Sequence, residues 1–160
     1  LAPARRGRRI ALVAVDLPLL RGSLAGNLRY RRKTVAREAM QRALLAAGVR
    51  ALVGGTTLTL GSPVAEGGRN LPRLLRARLA LARALVDTPA VLLIDDFDDL
   101  LEGDAAADAP LLALLREPPC TVVIATRRPE WAARCAQRVL LEPVVAIATT
   151  PHKLELAHAA

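Results

Sequence analysis

The chain has 160 residues, room for one domain, and is 52% hydrophobic against 24% charged, which excludes a largely disordered chain. With 10 Gly, 11 Pro and 2 Cys it is neither collagen-like nor a disulfide scaffold. The net charge of +8 is nearly all Arg, since Lys occurs only at Lys33 and Lys153.

Such a balance suits nucleic acid, an anionic surface or a phosphate ligand. Readers of single strands interleave aromatic platforms with basic residues. Here Tyr30 alone stands beside Arg29, Arg31, Arg32 and Lys33, and the run Arg5, Arg6, Arg8, Arg9 has no aromatic. The plainer reading is Arg on solvated helix faces, and no direct nucleic-acid contact is expected. No uncharged apolar run approaches the ~18–20 residues that span a bilayer; the best, residues 10–20, is broken by Asp16 and Pro18. No cleavable leader is evident. Cys120 and Cys135 lack metal-type spacing and read as reduced, partly buried thiols of a cytosolic protein. The chain begins at Leu1, which suggests a piece of something longer.

In chain order, residues 9–15 (R-I-A-L-V-A-V) form a short apolar strand that Pro18 ends. Ser23 is placed to cap a short helix through Leu28, and Thr34 a longer one with Val35, Met40, Ala43, Leu44 and Ala47 on one stripe and Gly48 at its end. Residues 51–68, rich in Gly and Thr, read as a loop with room for one strand. Residues 73–86 form a helix with Leu74, Leu75, Leu79, Ala82 and Leu85 on its apolar side. Residues 90–94 (A-V-L-L-I) are a strand, 103–109 a low-complexity stretch and 109–115 a helix stopped by Pro118 and Pro119. Residues 120–126 are a further apolar strand, 129–136 a helix, 139–141 a strand, and the tail from Pro151 is short and helical or frayed. Strands apolar along their whole length, alternating with helices, predict an α/β domain: a parallel sheet with helices on both faces.

Val91-Leu92-Leu93-Ile94-Asp95-Asp96 has the form of a Walker B strand, which delivers a carboxylate to the end of a parallel sheet where ligands bind. Taken alone it is weak, because Asp is common in turns. Its surroundings sharpen it. Glu66-Gly67-Gly68-Arg69-Asn70-Leu71, then residues 76–85 (R-A-R-L-A-L-A-R-A-L), Pro89 and Asp95 resemble, without a gap, the stretch from signature motif to Walker B in the ATP-binding-cassette (ABC) transporter ATPases. Residues 10–30 (I-A-L-V-A-V-D-L-P-L-L-R-G-S-L-A-G-N-L-R-Y) resemble the matching segment of exporter-type members, and residues 121–128 their last core strand. The resemblance covers roughly residues 9–142. It implies a partial P-loop NTPase-type sheet flanked by helices. Residues 1–160 would be one partial nucleotide-binding domain: a helical subdomain at about residues 16–75, core strands in 9–15 and 90–142, and a tail at 143–160.

The same resemblance shows where ligand-contacting positions depart. No G-x-x-x-x-G-K-[ST] loop is present in the chain; in the family it precedes the matching segment. The Q-loop Gln falls on Val15. The signature L-S-G-G-Q falls on Leu71, Pro72, Arg73, Leu74 and Leu75, where Pro72 removes a hydroxyl and an N–H and two side chains stand where backbone must approach phosphate. Arg73 keeps a charge that attracts phosphate. The Gly-Gly pair in residues 65–69 is out of register by about six residues and reads as an ordinary turn. The metal-binding Walker B carboxylate is Asp95, the catalytic Glu falls on the shorter Asp96, the switch His on Arg127 and the D-loop Asp on Glu102. His152 and His158 read as surface residues.

Fold-specifying residues are thus kept while ligand-contacting ones have changed. The resemblance implies ATP and Mg²⁺ as cofactors once a P-loop is supplied, a transmembrane domain and a second nucleotide-binding domain as partners, and a place on the cytoplasmic face of the cell membrane. Three readings follow: a catalytically impaired nucleotide-binding domain of a transporter, a non-hydrolysing structural or regulatory ABC-like module, and a soluble ABC-type ATPase associated with nucleic acid. The exporter-like residues 13–27 speak against the last.

Overall fold

The computed structural model describes residues 10–14, 18–49, 58–103 and 105–141. Three parallel strands, β1 (Ile10–Val13), β4 (Val91–Ile94) and β5 (Thr121–Ile124), form a sheet in the order β1-β4-β5. Ala11, Leu92 and Val122 are in register, as are Val13, Ile94 and Ile124. Side chains alternate across a sheet, so these six share a face. Val13, Leu92 and Ile94 are buried there against the core. The opposite face is open at Ile10, Leu12 and Val123, which are 61%, 53% and 51% exposed.

Between β1 and β4 lie α1 (Leu24–Arg29), α2 (Arg37–Ala46) and α3 (Arg73–Leu85), with a short antiparallel pair of β2 (Gly22–Ser23) and β3 (Pro63–Val64) and a 3-10 turn at Glu66–Gly68. The longest of these, α3, is the hub. Leu79, Leu81, Ala82 and Leu85 pack with Leu24, Leu28, Phe97 and Leu111 in one core, and α3 touches α1, α2, β1 and the 3-10 turn Phe97–Leu100. After β4 come that turn, α4 (Ala105–Arg116) and, beyond β5, α5 (Pro129–Ala132).

Ser23 caps α1 as its position implies, accepting the Gly26 N–H at 3.0 Å. Thr34 does not cap α2: the helix starts at Arg37, its N-cap is Ala36, and no side chain bonds the first turn. Thr34 is too far back in the chain to reach the free N–H groups. Gly48 closes α2 in the left-handed region (φ 69°), where a side chain would be strained. Helix α4 begins earlier than its apolar residues suggest, because the stretch read as low-complexity is Ala-rich and Ala is the best helix former. Helix α5 is shorter than expected, since residues 133–135 continue only as hydrogen-bonded turns. Residues 139–141 are not a strand. They are exposed and, among the described residues, no strand pairs with them, so an extended conformation gains no ladder there. The loop at residues 51–57, Val15 and the tail 143–160 lie outside the described residues.

Candidate functional site at the C-terminal edge of the sheet

The strand ends converge where open α/β sheets bind ligands. The Asp95 N–H donates to the Val13 carbonyl at 2.9 Å, and the Phe97 N–H crosses to the Ala125 carbonyl at 2.8 Å. Between them Asp96 adopts the left-handed conformation (φ 48°, ψ 56°), which Asp tolerates better than most residues. Its N–H is held by Asp95 Oδ1 at 3.1 Å. This sharp turn leaves both Asp95 and Asp96 exposed while Phe97 drops into the core against Trp131, ring centroids 5.1 Å apart.

The next two carboxylates reach different segments. Asp98 accepts the Thr126 hydroxyl at 2.5 Å and the Arg127 N–H at 2.9 Å, with the Arg127 guanidinium 3.9 Å away. Asp99 accepts from Arg73 Nη2 at 2.8 Å. The first turn of α3 holds no acidic side chain, so Arg73 meets the positive end of the helix dipole there, and Asp99 offsets that repulsion. In the signature-like segment Pro72 is the N-cap residue and makes no capping bond; Pro72 and Arg73 are exposed, Leu71 and Leu74 half-buried, and Leu75 is in the core.

Glu102 is exposed, but its backbone is fixed from below. Asp108 accepts the Glu102 and Gly103 N–H groups, both at 3.0 Å. Asp108 in turn pairs with Arg78, whose guanidinium donates to Asp108 Oδ1 at 2.6 Å, the Ala107 carbonyl at 2.7 Å and the Leu100 carbonyl at 2.9 Å. Burial lowers the Arg78 pKa from its usual value, opposed by the Asp108 charge and hydrogen bond and by Glu102. One end of α3 thus presents Arg73 to the site while its middle, through Arg78, holds the loop carrying Glu102.

Sequence reasoning brought Asp95, Asp96, Arg73, Arg127 and Glu102 to this edge but gave no role to Asp98, Asp99, Arg78 or Asp108. A signal existed for the buried pair. Arg78 stands three residues after Leu75 and four before Ala82, on the apolar stripe, and Asp108 stands three before Leu111. A charge on a buried stripe requires a partner.

A groove of about 240 Å³ runs between β1 and α3, lined in part by Leu12, Leu20, Tyr30, Arg32, Ala84 and Asp87. Asn27 shapes its rim, bonding both the N–H and the carbonyl of Leu20 at 2.8 Å. Arg83 donates to the Pro18 carbonyl at 3.1 Å and stacks over Tyr30 with 5.1 Å from its guanidinium carbon to the ring centroid. Arg32 is ion-paired with Asp87. Among the described residues no group of three or more His, Cys, Asp and Glu is placed to hold a metal. None of the described helices is long and apolar enough to cross a membrane.

No family model matches the chain. Among curated proteins, an ABC transporter ATP-binding protein of Mycobacterium tuberculosis is 33% identical over 153 residues, which cover 92% of this chain and 26% of that protein. An ATP-dependent lipid A-core flippase of Neisseria meningitidis is 33% identical over 95 residues, 59% of this chain and 15% of the flippase. An ABC transporter ATP-binding protein of Bacillus subtilis is 27% identical over 135 residues, 84% of this chain and 23% of that protein. Among solved structures, a bacterial Atm1-family ABC exporter with ATP bound shares the fold with a TM-score of 0.65 at 24% identity, covering 78% of this chain and 22% of the exporter chain. The chain belongs to the ABC transporter ATP-binding proteins and spans about a quarter of the length of the first curated relative it matches.

Proposed function

We propose that residues 1–160 are part of a nucleotide-binding domain of an exporter-like ABC transporter, at the cytoplasmic face of the membrane. It would energise transport through ATP binding and hydrolysis shared with a second nucleotide-binding domain, with this copy hydrolysing slowly. The observation that carries the reading is the meeting, at one sheet edge, of Asp95 and Asp96 with the Arg127 segment and the start of α3, through Asp98 and Asp99. Asp95 would hold Mg²⁺ or its water, the remaining ligands coming from phosphate and solvent, and Asp96 would orient the attacking water. ATP itself, when bound, supplies the transferable phosphoryl group. Residues 16–75 would be the helical subdomain, 9–15 and 90–142 would hold the core strands, and 143–160 would be a tail.

Slow hydrolysis is argued from geometry. A general base must come within about 2.6–3.2 Å of its proton, or one water away, and Asp96 is a methylene shorter than Glu. Arg127, a guanidinium in place of an imidazole, relays no proton. Phosphoryl transfer depends almost entirely on positioning and electrostatics, so these changes strike where the rate originates. The open sheet face at Ile10, Leu12 and Val123 supports the partial-domain reading, because parallel sheets are buried on both faces. The apolar groove beside β1, with Tyr30 and Leu20 at its rim, supports docking of the transporter's transmembrane part. The Arg73–Asp99 and Arg127–Asp98 contacts also favour a second reading, a module that keeps the fold and performs no turnover. Calorimetry with Mg-ATP tests the binding side. Residues 1–160, lacking the P-loop cradle, are expected to bind weakly or not at all, and micromolar binding would contradict this.

A further inference from the structure

The turn Phe97–Leu100 carries two carboxylates that bind different segments, and each ends on groups suited to an anion. Asp98 takes a hydroxyl and a backbone N–H, from Thr126 and Arg127. Asp99 takes a guanidinium N–H from Arg73. Hydroxyls, backbone N–H groups and Arg forks are what proteins use to hold phosphate. We infer that Asp98 and Asp99 are a built-in counter-anion: they occupy the phosphate-competent donors of Thr126, Arg127 and Arg73 and hold this edge closed to an external phosphate until displaced.

The pairs are poorly explained as stabilising bonds. The Arg127 and Arg73 side chains are 83% and 64% exposed, and exposed ion pairs contribute little to stability. Their effect on an incoming anion is larger, for two reasons. Each donor must first release a carboxylate, and the carboxylates themselves repel phosphate at close range. The effect is a property of the turn rather than of the switch or signature segments it ties down. The inference rests on the nucleotide-domain reading only for the identity of the anion.

The test uses the full chain and inorganic pyrophosphate, with Mg-ATP in parallel. Trp131, the one Trp in the sequence, packs on Phe97 at the start of the turn and reports its environment by fluorescence. Asp98→Asn with Asp99→Asn is expected to tighten pyrophosphate binding on the order of tenfold or more relative to wild type, and adding Arg73→Ala should remove most of the gain. Tightening of pyrophosphate supports the counter-anion whether or not Mg-ATP binding changes, because the nucleotide-domain reading already expects residues 1–160 to bind Mg-ATP weakly or not at all. An unchanged pyrophosphate affinity in a variant with the wild-type circular-dichroism spectrum overturns the inference. Should the double variant not fold, Asp99→Asn alone, which alters an exposed pair, is expected to give a gain of about threefold; no gain there also overturns it.

Discussion

Arg78 on α3 and Asp108 on α4 form an ion pair closed to solvent, with side chains 0% and 8% exposed and 2.6 Å between Nη2 and Oδ1. Every strong demand of the two groups is met. Arg78 also donates to the Leu100 and Ala107 carbonyls, and Asp108 also accepts the Glu102 and Gly103 N–H groups. The loop that carries Glu102 is therefore set by two helices, α3 through Arg78 and α4 through Asp108. Removing one member leaves the other buried and uncompensated, at a cost of about 3–5 kcal/mol. Arg78→Ala should lower the denaturation free energy by that amount in urea titrations, and Arg78→Lys should recover little, because one ammonium does not span three acceptors set for a planar fork.

Gly48 lies over the same guanidinium. A Cβ at this position would collide with Arg78 and would sit at φ 69°. Gly48→Ala should cost about 2 kcal/mol or more, from left-handed strain and overpacking together. In an Arg78→Ala background the collision is absent and the added cost should fall to about 1 kcal/mol, the backbone share. A double-mutant cycle by chemical denaturation reads the difference.

The two helix starts separate in the same way. Ser23→Ala removes the bond to the Gly26 N–H and should cost about 1 kcal/mol. Thr34→Ala touches no cap and should stay within about 0.5 kcal/mol of wild type.

These pairs show what was legible in the sequence. Continuous apolar runs and period-3.6 stripes are local, so the three parallel strands and the long helix at residues 73–85 could be read directly, as could the Ser23 cap. The Thr34 cap failed because α2 begins at Arg37, and nothing in residues 34–37 alone distinguishes the two starts. The strand expected at residues 139–141 failed because strand formation depends on a neighbour that a short apolar run does not name. At the site, motif order placed Asp95, Asp96 and Arg127 on one edge. The long-range partners of Arg73 and Arg127 were not legible, since an Asp following a strand reads equally as a turn residue. Arg78 and Asp108 were legible in principle, as charges on apolar stripes.

Burial raises the Cys120 thiol above its ordinary value of 9.0, only partly countered by a hydrogen bond with the Leu92 backbone. The protonated form is favoured in the folded chain. That contribution to stability is complete below about pH 9, the unfolded value, and is lost as pH rises through the higher folded value. The thiolate is the nucleophile, so Cys120 should be alkylated by iodoacetamide near pH 8 more slowly than a short peptide of residues 117–123. Mass spectrometry of digested, labelled protein measures both rates.

The central claim is that Asp96 and Arg127 leave this copy a slow ATPase. Steady-state hydrolysis by the proposed transporter, with a P-loop supplied upstream of this chain, tests it most directly, comparing wild type with Asp96→Glu plus Arg127→His. The account predicts a wild-type turnover far below the ~1–100 s⁻¹ of competent phosphoryl-transfer enzymes, rising when the longer carboxylate and the imidazole are restored. A wild-type turnover within that range, unchanged by the double substitution, would contradict it.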